Sequence, residues 1–475
     1  MYPGSNIAIL VDLVATMYQT LSYQLNHAAS ESMFSQSQYY ENIVRIAKLL
    51  GYNAKGITPS TAMFRMDDAG DLVNENIDSK ISIPPFSYIQ TGTGKYYSYC
   101  PYRWQSCQIP RNLDPGQPYD IVLHNGMWKR HQTVFTPNGS DFETFVLSGV
   151  RSDMDGQKYA STAHMFAIEV VKKMKVGNPD EVDWDSSKIN IFHPTSMGLF
   201  KGLPNMNDTD QVNNFLYNGI GEDKWVFNVE LNEIKQIVLK FGDGITTEKL
   251  TPNSELYVFY LETQGMDGAV KPGEGSKSET LIFKHGAKSF NMPEGLYGKL
   301  FGTDGVAVND LKCRVLTGST SAIREETVED IRDRAPHWFK MNNRLVTKED
   351  YEFFIMNEPS ISGVFNSVKV MNNWEYVATF YRWLHQLGMD KHDDNPRFYL
   401  NPARFTKYGG ASLSDAVDSN NVYIWYITNF GDVTDINYDQ MVQRCKSMTM
   451  DIKDICHEPV FLPAIPIRCE ISSVP

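Results

Sequence analysis

Chemistry in this chain would have to begin where reactive side chains crowd together, and the densest such place is His385, Asp390, His392, Asp393 and Asp394. These residues mix imidazoles with hard carboxylates at irregular spacing, unlike the regular ligand patterns of zinc or calcium sites. No bound metal is expected from them. Thr91-Gly92-Thr93-Gly94-Lys95 is the nearest approach to a phosphate-binding loop, but it lacks the first glycine and is followed by Tyr96. Neither Gly-x-Gly-x-x-Gly nor Gly-x-Ser-x-Gly occurs. His124 and His131 flank a strand-like segment with no companion carboxylate in sequence reach, and read as satisfied core or surface histidines. Asp243, between Gly242 and Gly244, reads as a turn former. Asp183 and Asp185 form an acid pair, but glycosidase chemistry depends on the distance between two carboxyl groups across a cleft, which sequence does not supply. The expectation is a protein that is not an enzyme and needs no cofactor.

Composition narrows the remaining classes. At 475 residues, 42% of them hydrophobic and 21% charged, the chain has room for two to four globular domains, each with its own core. The net charge of -13 has no compensating basic block, so attraction to a phosphate backbone is not expected and nucleic acid is not a predicted partner. Cys100, Cys107, Cys313, Cys445, Cys456 and Cys469 contain no Cys-x-x-Cys pair and read as reduced, mostly buried thiols. The N-terminus has no cationic region, and Asp12 interrupts the apolar run 7–14, so neither a signal peptide nor a membrane partner is expected. A protein made and kept in a cytoplasm is the expectation from that reading.

The elements that must position any functional residue are best punctuated in residues 321–358. Ser321 is a candidate cap, Glu325 and Glu326 lie near the positive end of a helix, and Ile323, Val328, Ile331 and Ala335 recur near helical spacing. Pro336 should stop that helix at about Ala335. Thr347 with Asp350 then reads as a capping box and Val346 with Tyr351 as a hydrophobic staple; Tyr351, Phe354 and Ile355 share a face, and Pro359 ends the second helix. At the N-terminus, Ser5 is a plausible cap. Ile7, Leu10, Val14, Met17, Leu21 and Ala28 fall at three- and four-residue steps, broken by Gln24, in the manner of a coiled-coil seam. A second helix carries Tyr39, Ile43, Ile46 and Leu50 and ends at Gly51.

Between these helical parts the texture is that of strands. Residues 62–66, 81–83, 121–124, 132–135, 142–147 and 164–171 are predicted strands, with loops at 96–103 and 182–185. Residues 237–245 read as a hairpin turning on Asp243-Gly244, and 255–263 as an interior strand bulky on both faces. Toward the C-terminus, strands at 363–370 and 422–428, a helix at 438–456 and a strand near 467–471 predict a small α+β sandwich. Inside it lies an insertion near 372–421, helical and aromatic at 374–387 and polar thereafter. The predicted fold class is therefore α+β and multidomain: N-terminal helical hairpin (1–55), antiparallel β-rich middle (56–320), central helices (321–360) and a C-terminal α+β domain (361–475).

Three separated blocks of this chain resemble one family, in that family's order. They are Tyr2-Pro3-Gly4-Ser5-Asn6 with Ala29-x-Glu31-Ser32-Met33-Phe34 and Ala47-Lys48-x-x-Gly51-Tyr52; Phe241-Gly242-Asp243-Gly244 with Pro252-Asn253 and Tyr260-Leu261-x-Thr263-x-Gly265; and Glu325 to Arg332, Ala335-Pro336 and Arg344-Leu345-Val346-Thr347-Lys348-Glu349-Asp350-Tyr351. The family is the baseplate J-like wedge proteins of contractile-tailed bacteriophages. The resemblance implies a structural virion protein of the tail baseplate. Two identical chains would pair within a wedge, join a different wedge subunit through a three-way helical bundle, and link neighbouring wedges into a ring around the hub that widens when the tail is triggered. Ring closure and pairing need different contacts, so one chain must carry several interfaces. The candidate bundle residues are Ile7, Leu10, Val14, Met17 and Leu21, with Ile331, Ala335, Pro336, Arg344, Thr347, Asp350 and Tyr351 in the central helices. The C-terminal domain is the candidate for pairing of identical chains. The insertion does not align with the family pattern. A tail component that binds or cleaves carbohydrate is the alternative, motivated by the aromatic clusters at 96–104 and 374–383.

Overall fold

In the computed structural model the described residues are 6–75, 81–101, 107–110, 113–151, 159–175, 178–195, 225–244, 247–270, 281–282, 284–285, 290, 312–316, 318–320, 322–341, 344–358, 364–373, 375–376, 421–428, 439–454 and 456–464. Ser5, Ser321, Pro359, the whole of the predicted 467–471 strand and nearly all of the insertion lie outside them. The first two helices have opposite characters. Helix α1 (Asn6–Glu31) buries only its last residue, whereas α2 (Tyr40–Leu49) buries Ile43, Val44 and Ala47. That face is rotated slightly from the one expected, and Tyr39 stands outside it, 57% exposed. The end of α2 follows from Gly51, whose φ of 78° lets the Tyr52 N–H reach Ala47 O and the Gly51 N–H reach Lys48 O.

The β-rich middle contains two seven-stranded sheets. Its elements in order are β1 (Thr61–Met66), the short helix α3 (Ala69–Glu75), β2 (Ser82–Ile83), β3 (Ser87–Gln90), β4 (Tyr96–Ser98), β5 (Cys107–Gln108), β6 (Tyr119–Asn125) and β7 (Met127–Arg130). There follow β8 (Thr144–Arg151), β9 (Tyr159–Lys175), β10 (Asn178–Thr195), β11 (Val226–Leu231), β12 (Gln236–Lys240), β13 (Glu255–Thr263), β14 (Leu281–Ile282), β15 (Lys284–His285) and β16 (Lys312–Val315). The first sheet runs β14-β16-β1-β6-β4-β3-β15 and the second β7-β13-β9-β10-β11-β12-β8. Pairing is antiparallel throughout these two sheets except between β10 and β11.

Side-chain alternation explains how the strands serve two cores at once. On β1 and β6, Ala62, Phe64, Met66, Ile121 and Leu123 enter one cluster, while Met63 and its cross-strand partner Val122 point to another, shared with helices. On β13, Tyr257, Phe259 and Leu261 pack with Trp128 and Phe166, and Leu256 and Val258 face Met165 and Ala167. Such burial on both faces is what the bulky 255–263 run predicts.

Several sequence readings are corrected here. Residues 132–135 are not a strand; Phe135 makes a single bridge to Leu256, and the strand is β7, just before it. The expected loops at 96–103 and 182–185 contain β4 and part of β10, because pairing with β3 and β9 outweighs their polar texture. The turn at Gly244 forms, with φ 78° and its N–H bonded to Thr247 O, but among the described residues no strand returns from it to pair with β12. Instead β12 pairs with β11 and β8. The loop after β12 folds so closely on itself that a Cβ at Gly242 would lie 2.0 Å from Thr247 Oγ1.

The central helices are α4 (Val328–Met341) and α5 (Lys348–Asn357). Helix α4 begins later than expected, at a reciprocal cap in which Thr327 N–H and Oγ1 donate to Asp330 Oδ2 and the Asp330 N–H returns to Thr327 Oγ1. Ile323 lies outside it, bridged to Thr58. Pro336 does not stop α4, which continues to Met341. An interior proline costs about 3 kcal/mol. Burial of Trp338 and Met341 beyond it, at roughly 1.5–3 kcal/mol for a large apolar side chain, offsets that cost. The Thr347/Asp350 capping box forms as expected, but the staple does not: Val346 is half exposed and Leu345 is buried in its place. The C-terminal part adds β17 (Phe365–Asn372), β18 (Asn421–Thr428), helix α6 (Asp439–Ile452) and β19 (Glu458–Pro463), in a sheet ordered β17-β18-β19 with the last pair parallel. One hydrophobic cluster joins α2, α4, α5, β17, β18, α6 and the back of β1 and β6. The fold is mixed α+β.

Candidate functional site

Among the described residues, helix α1 carries more exposed large apolar side chains than any other element. Its seam residues Ile7, Leu10, Val14, Met17 and Leu21 are 56–66% exposed. Val11, Tyr18 and Leu25 recur at seven-residue steps in a second exposed row beside them. The helix has no Lys or Arg, and Asp12 and Glu31 are its only carboxylates. Both of its threonine hydroxyls are turned inward on the backbone, Thr16 Oγ1 donating to Asp12 O and Thr20 Oγ1 to Thr16 O. At 1.5 Å per residue the helix extends about 39 Å. What is left facing solvent is a rod whose cheapest cover is other apolar side chains. No helix among the described residues is long and apolar enough to cross a membrane.

The root of this rod is fixed by Glu31. Its carboxylate accepts hydrogen bonds from Ser37 Oγ, the Gln38 and Tyr39 backbone N–H groups and Asn42 Nδ2, at 2.9–3.2 Å. Burial pushes its pKa up, but the bonds from Asn42, Gln38, Tyr39 and Ser37 more than reverse that and hold it at about 2. His27 stacks on Tyr39 with ring centroids 5.3 Å apart. Helix α2 is in turn tied to the β11–β12 turn by a two-pronged Arg45–Glu233 pair and to β11 by Lys48–Glu230. Lys235 of the same turn pairs with Glu325 and lies 5.0 Å from the centre of the Tyr40 ring. A groove lined by Tyr39, Tyr40, Glu41, Asn42, Glu233, Ile234 and Lys235 opens at this root.

The central candidates sit differently. Ile331, Ala335 and Tyr351 lie in the chain's own core and Pro336 inside α4, while Arg344 and Thr347 are exposed. Asp350 joins Thr347 in the cap that starts α5, one residue before Tyr351. Sequence reasoning missed the buried carboxylate that ties these helices to the N-terminal part. Glu326 accepts from Tyr52 Oη at 2.6 Å, the Lys55 N–H at 2.9 Å and Arg334 Nη1 at 2.7 Å. Lys55 itself is bonded to Asn357 O and packed over Trp338, and burial lowers its pKa against the pull of Glu358 and Glu326. The only signal for this network was a second acidic residue beside Glu325, too common a pattern to single out.

The remaining sequence candidates have structural places. His131 is buried with its ring nitrogens 3.3 Å from Thr133 O and 3.2 Å from Ser148 O. His124 is buried against Thr61 and His164. Of the aromatic cluster at 96–104, Tyr97 and Tyr99 are core residues; of that at 374–383, Tyr376 stacks on Tyr423 with centroids 4.0 Å apart. Cys100, Cys107, Cys313 and Cys445 are buried and Cys456 is exposed. The His385–Asp394 cluster and Cys469 lie outside the described residues. Among the described residues no three or more His, Cys, Asp and Glu side chains group as metal ligands would. No protein-family model matches this chain, and no curated protein matches it.

Proposed function

We propose that this chain is a structural subunit of the baseplate wedge of a contractile tail, entering a helical bundle with other wedge proteins through α1. The observation that carries the reading is the row of exposed apolar side chains along α1, from Ile7 to Leu21, on a helix that buries only Glu31 in its own chain. A helix of this length in water gains little from its own backbone, so its natural state is one packed against partner helices. The three motif blocks described above supply the identity of the assembly. In this reading the partners are a second copy of the chain within a wedge, copies in neighbouring wedges, and a different wedge subunit in the bundle. The chain catalyses nothing, holds no resident metal, and touches neither nucleic acid nor membrane. Its place is the virion baseplate, reached by assembly in the host cytoplasm.

Replacing Leu10 and Met17 by Asp places two carboxylates in the seam, which ionised groups do not tolerate unpaired in an apolar interface. We expect tail particles to stop forming while the isolated double variant keeps the circular dichroism and protease resistance of the parent. Normal particles would remove α1 as an interface, and a wholly unfolded chain would make the seam ordinary core. Micrographs of particles labelled on this chain test the assembly itself: label on the capsid or on fibres, away from the baseplate, would refute the reading.

A further inference from the structure

The two seven-stranded sheets and the C-terminal unit meet at a buried cluster of bases. His124 projects from β6 of the first sheet and His164 from β9 of the second, with ring centroids 4.5 Å apart, and each is only 3% exposed. Thr61 Oγ1 of β1 lies 3.4 Å from His124 Nδ1, and Ser161 Oγ lies 3.0 Å from His164 Nδ1. Nε2 of His164 is buried with no hydrogen-bond partner among the described residues. The third member is Arg444 of α6, 9% exposed, which donates from Nη1 to the carbonyl of Cys100 just beyond β4 at 2.8 Å. Beside them lie the Thr61 and Ser161 hydroxyls and the Cys100 thiol, whose pKa burial drives up against the pull of Arg444.

We propose that the His124–His164–Arg444 junction is an acid-sensitive latch, which holds α6 on the β-sheets in neutral solution and lets it go as the imidazoles take up protons. A proton on either ring puts a cation in a buried space already shared with a guanidinium and a second base. Burial lowers His124 to about 3, with Arg444 adding to the effect. Burial likewise sets His164 well below its ordinary value, reinforced by His124 and Arg444. The sign follows directly. An opened junction binds protons that the closed one refuses, so the closed form is fully favoured above the ordinary histidine value of about 6.5 and loses ground as pH falls toward 3. By this linkage the opening equilibrium should rise about tenfold per imidazole for each pH unit below 6.5, or about a hundredfold per imidazole at pH 4.5. The latch is independent of what α1 assembles with.

Hydrogen exchange on the full chain, corrected for intrinsic rates and followed from pH 7.5 to 4.5, tests this. The amides of α6 should open steeply with acid while those of β13, in the interior of the second sheet, stay protected. In His124→Gln/His164→Gln, confirmed folded at pH 7.5, the α6 response should become flat. If that pair does not fold, His164→Asn alone should still remove about one tenfold step per pH unit. Arg444→Gln, which keeps both imidazoles and loses the bond to Cys100 O, should raise α6 opening at every pH and keep the slope, because burial rather than the guanidinium is the larger cause of the low imidazole values. An unchanged slope in the histidine variants, or α6 and β13 opening together in the parent, would overturn the proposal.

Discussion

Glu31 stands where a capping side chain would stand for α2, although it belongs to the preceding helix. The N-cap residue of α2, Tyr39, contributes no side-chain bond of its own, and the Gln38 and Tyr39 amides are satisfied by Glu31 instead. Because its folded pKa is about 2, below the ordinary 4.5, Glu31 contributes stability that is complete above pH 4.5 and lost as pH falls toward 2. Protection of the Gln38 and Tyr39 amides should therefore fade below pH 4.5, and in Glu31→Gln it should be low and nearly independent of pH over that range. Unaltered protection in the variant would mean that the corner is held by the His27–Tyr39 stack. Thr347 is the simpler case. Thr347→Ala removes one half of the α5 capping box and should cost about 1 kcal/mol in denaturant unfolding with the fold intact. Thr347 with Asp350 could be read from sequence because both halves of a capping box lie within one turn of chain. Glu31 could not, since nothing local marks the last residue of a helix as the acceptor for donors six to eleven residues later.

At the scale of elements, α4 shows how tertiary burial overrides a local rule. Pro336 removes a backbone donor from the middle of a helix that persists because Trp338 and Met341, beyond the proline, are needed in the core. Pro336→Ala should accordingly raise stability by roughly 1–3 kcal/mol, since the helix already has the geometry that alanine prefers. A lower denaturation midpoint would show that the proline ring itself packs usefully. The same logic separates what was legible among the strands from what was not. The 255–263 run announces an interior strand through bulky residues on both faces, and β13 is one. The part of β10 at 182–185 carries no such mark; its strand conformation comes from pairing with β9, which only the partner strand supplies. The Asp243-Gly244 turn could be foreseen, but which strands β12 joins could not, because turn chemistry fixes a bend and not a partner.

For the whole molecule, the α+β class was readable from texture, whereas the sharing of cores was not. Met63 and Val122 are single apolar residues in alternating strands, yet they face the helices while their neighbours face the sheet interior. His124 and His164 were likewise separate histidines until two sheets brought them together. One test addresses the molecule's division into body and rod. Because α1 buries only Glu31, removing residues 1–22 while keeping His27 and Glu31 should leave the melting temperature of the body unchanged within about a degree. It should also abolish any concentration-dependent association of the isolated chain, measured by sedimentation. A large fall in melting temperature would mean that the rod packs on the body. The joint between them also has a mechanical consequence. The apolar seam of α1 is long, and a partner engaging it would resist sliding along its whole length. The bonds to Glu31 converge on a single carboxylate, and each is lost when its atoms separate by about an ångström beyond hydrogen-bond distance. Under a pull transmitted along α1, the corner should therefore yield before the seam does, so the rod would pivot about Glu31 with its partners still attached, as a shear pin lets a shaft turn without stripping its gears.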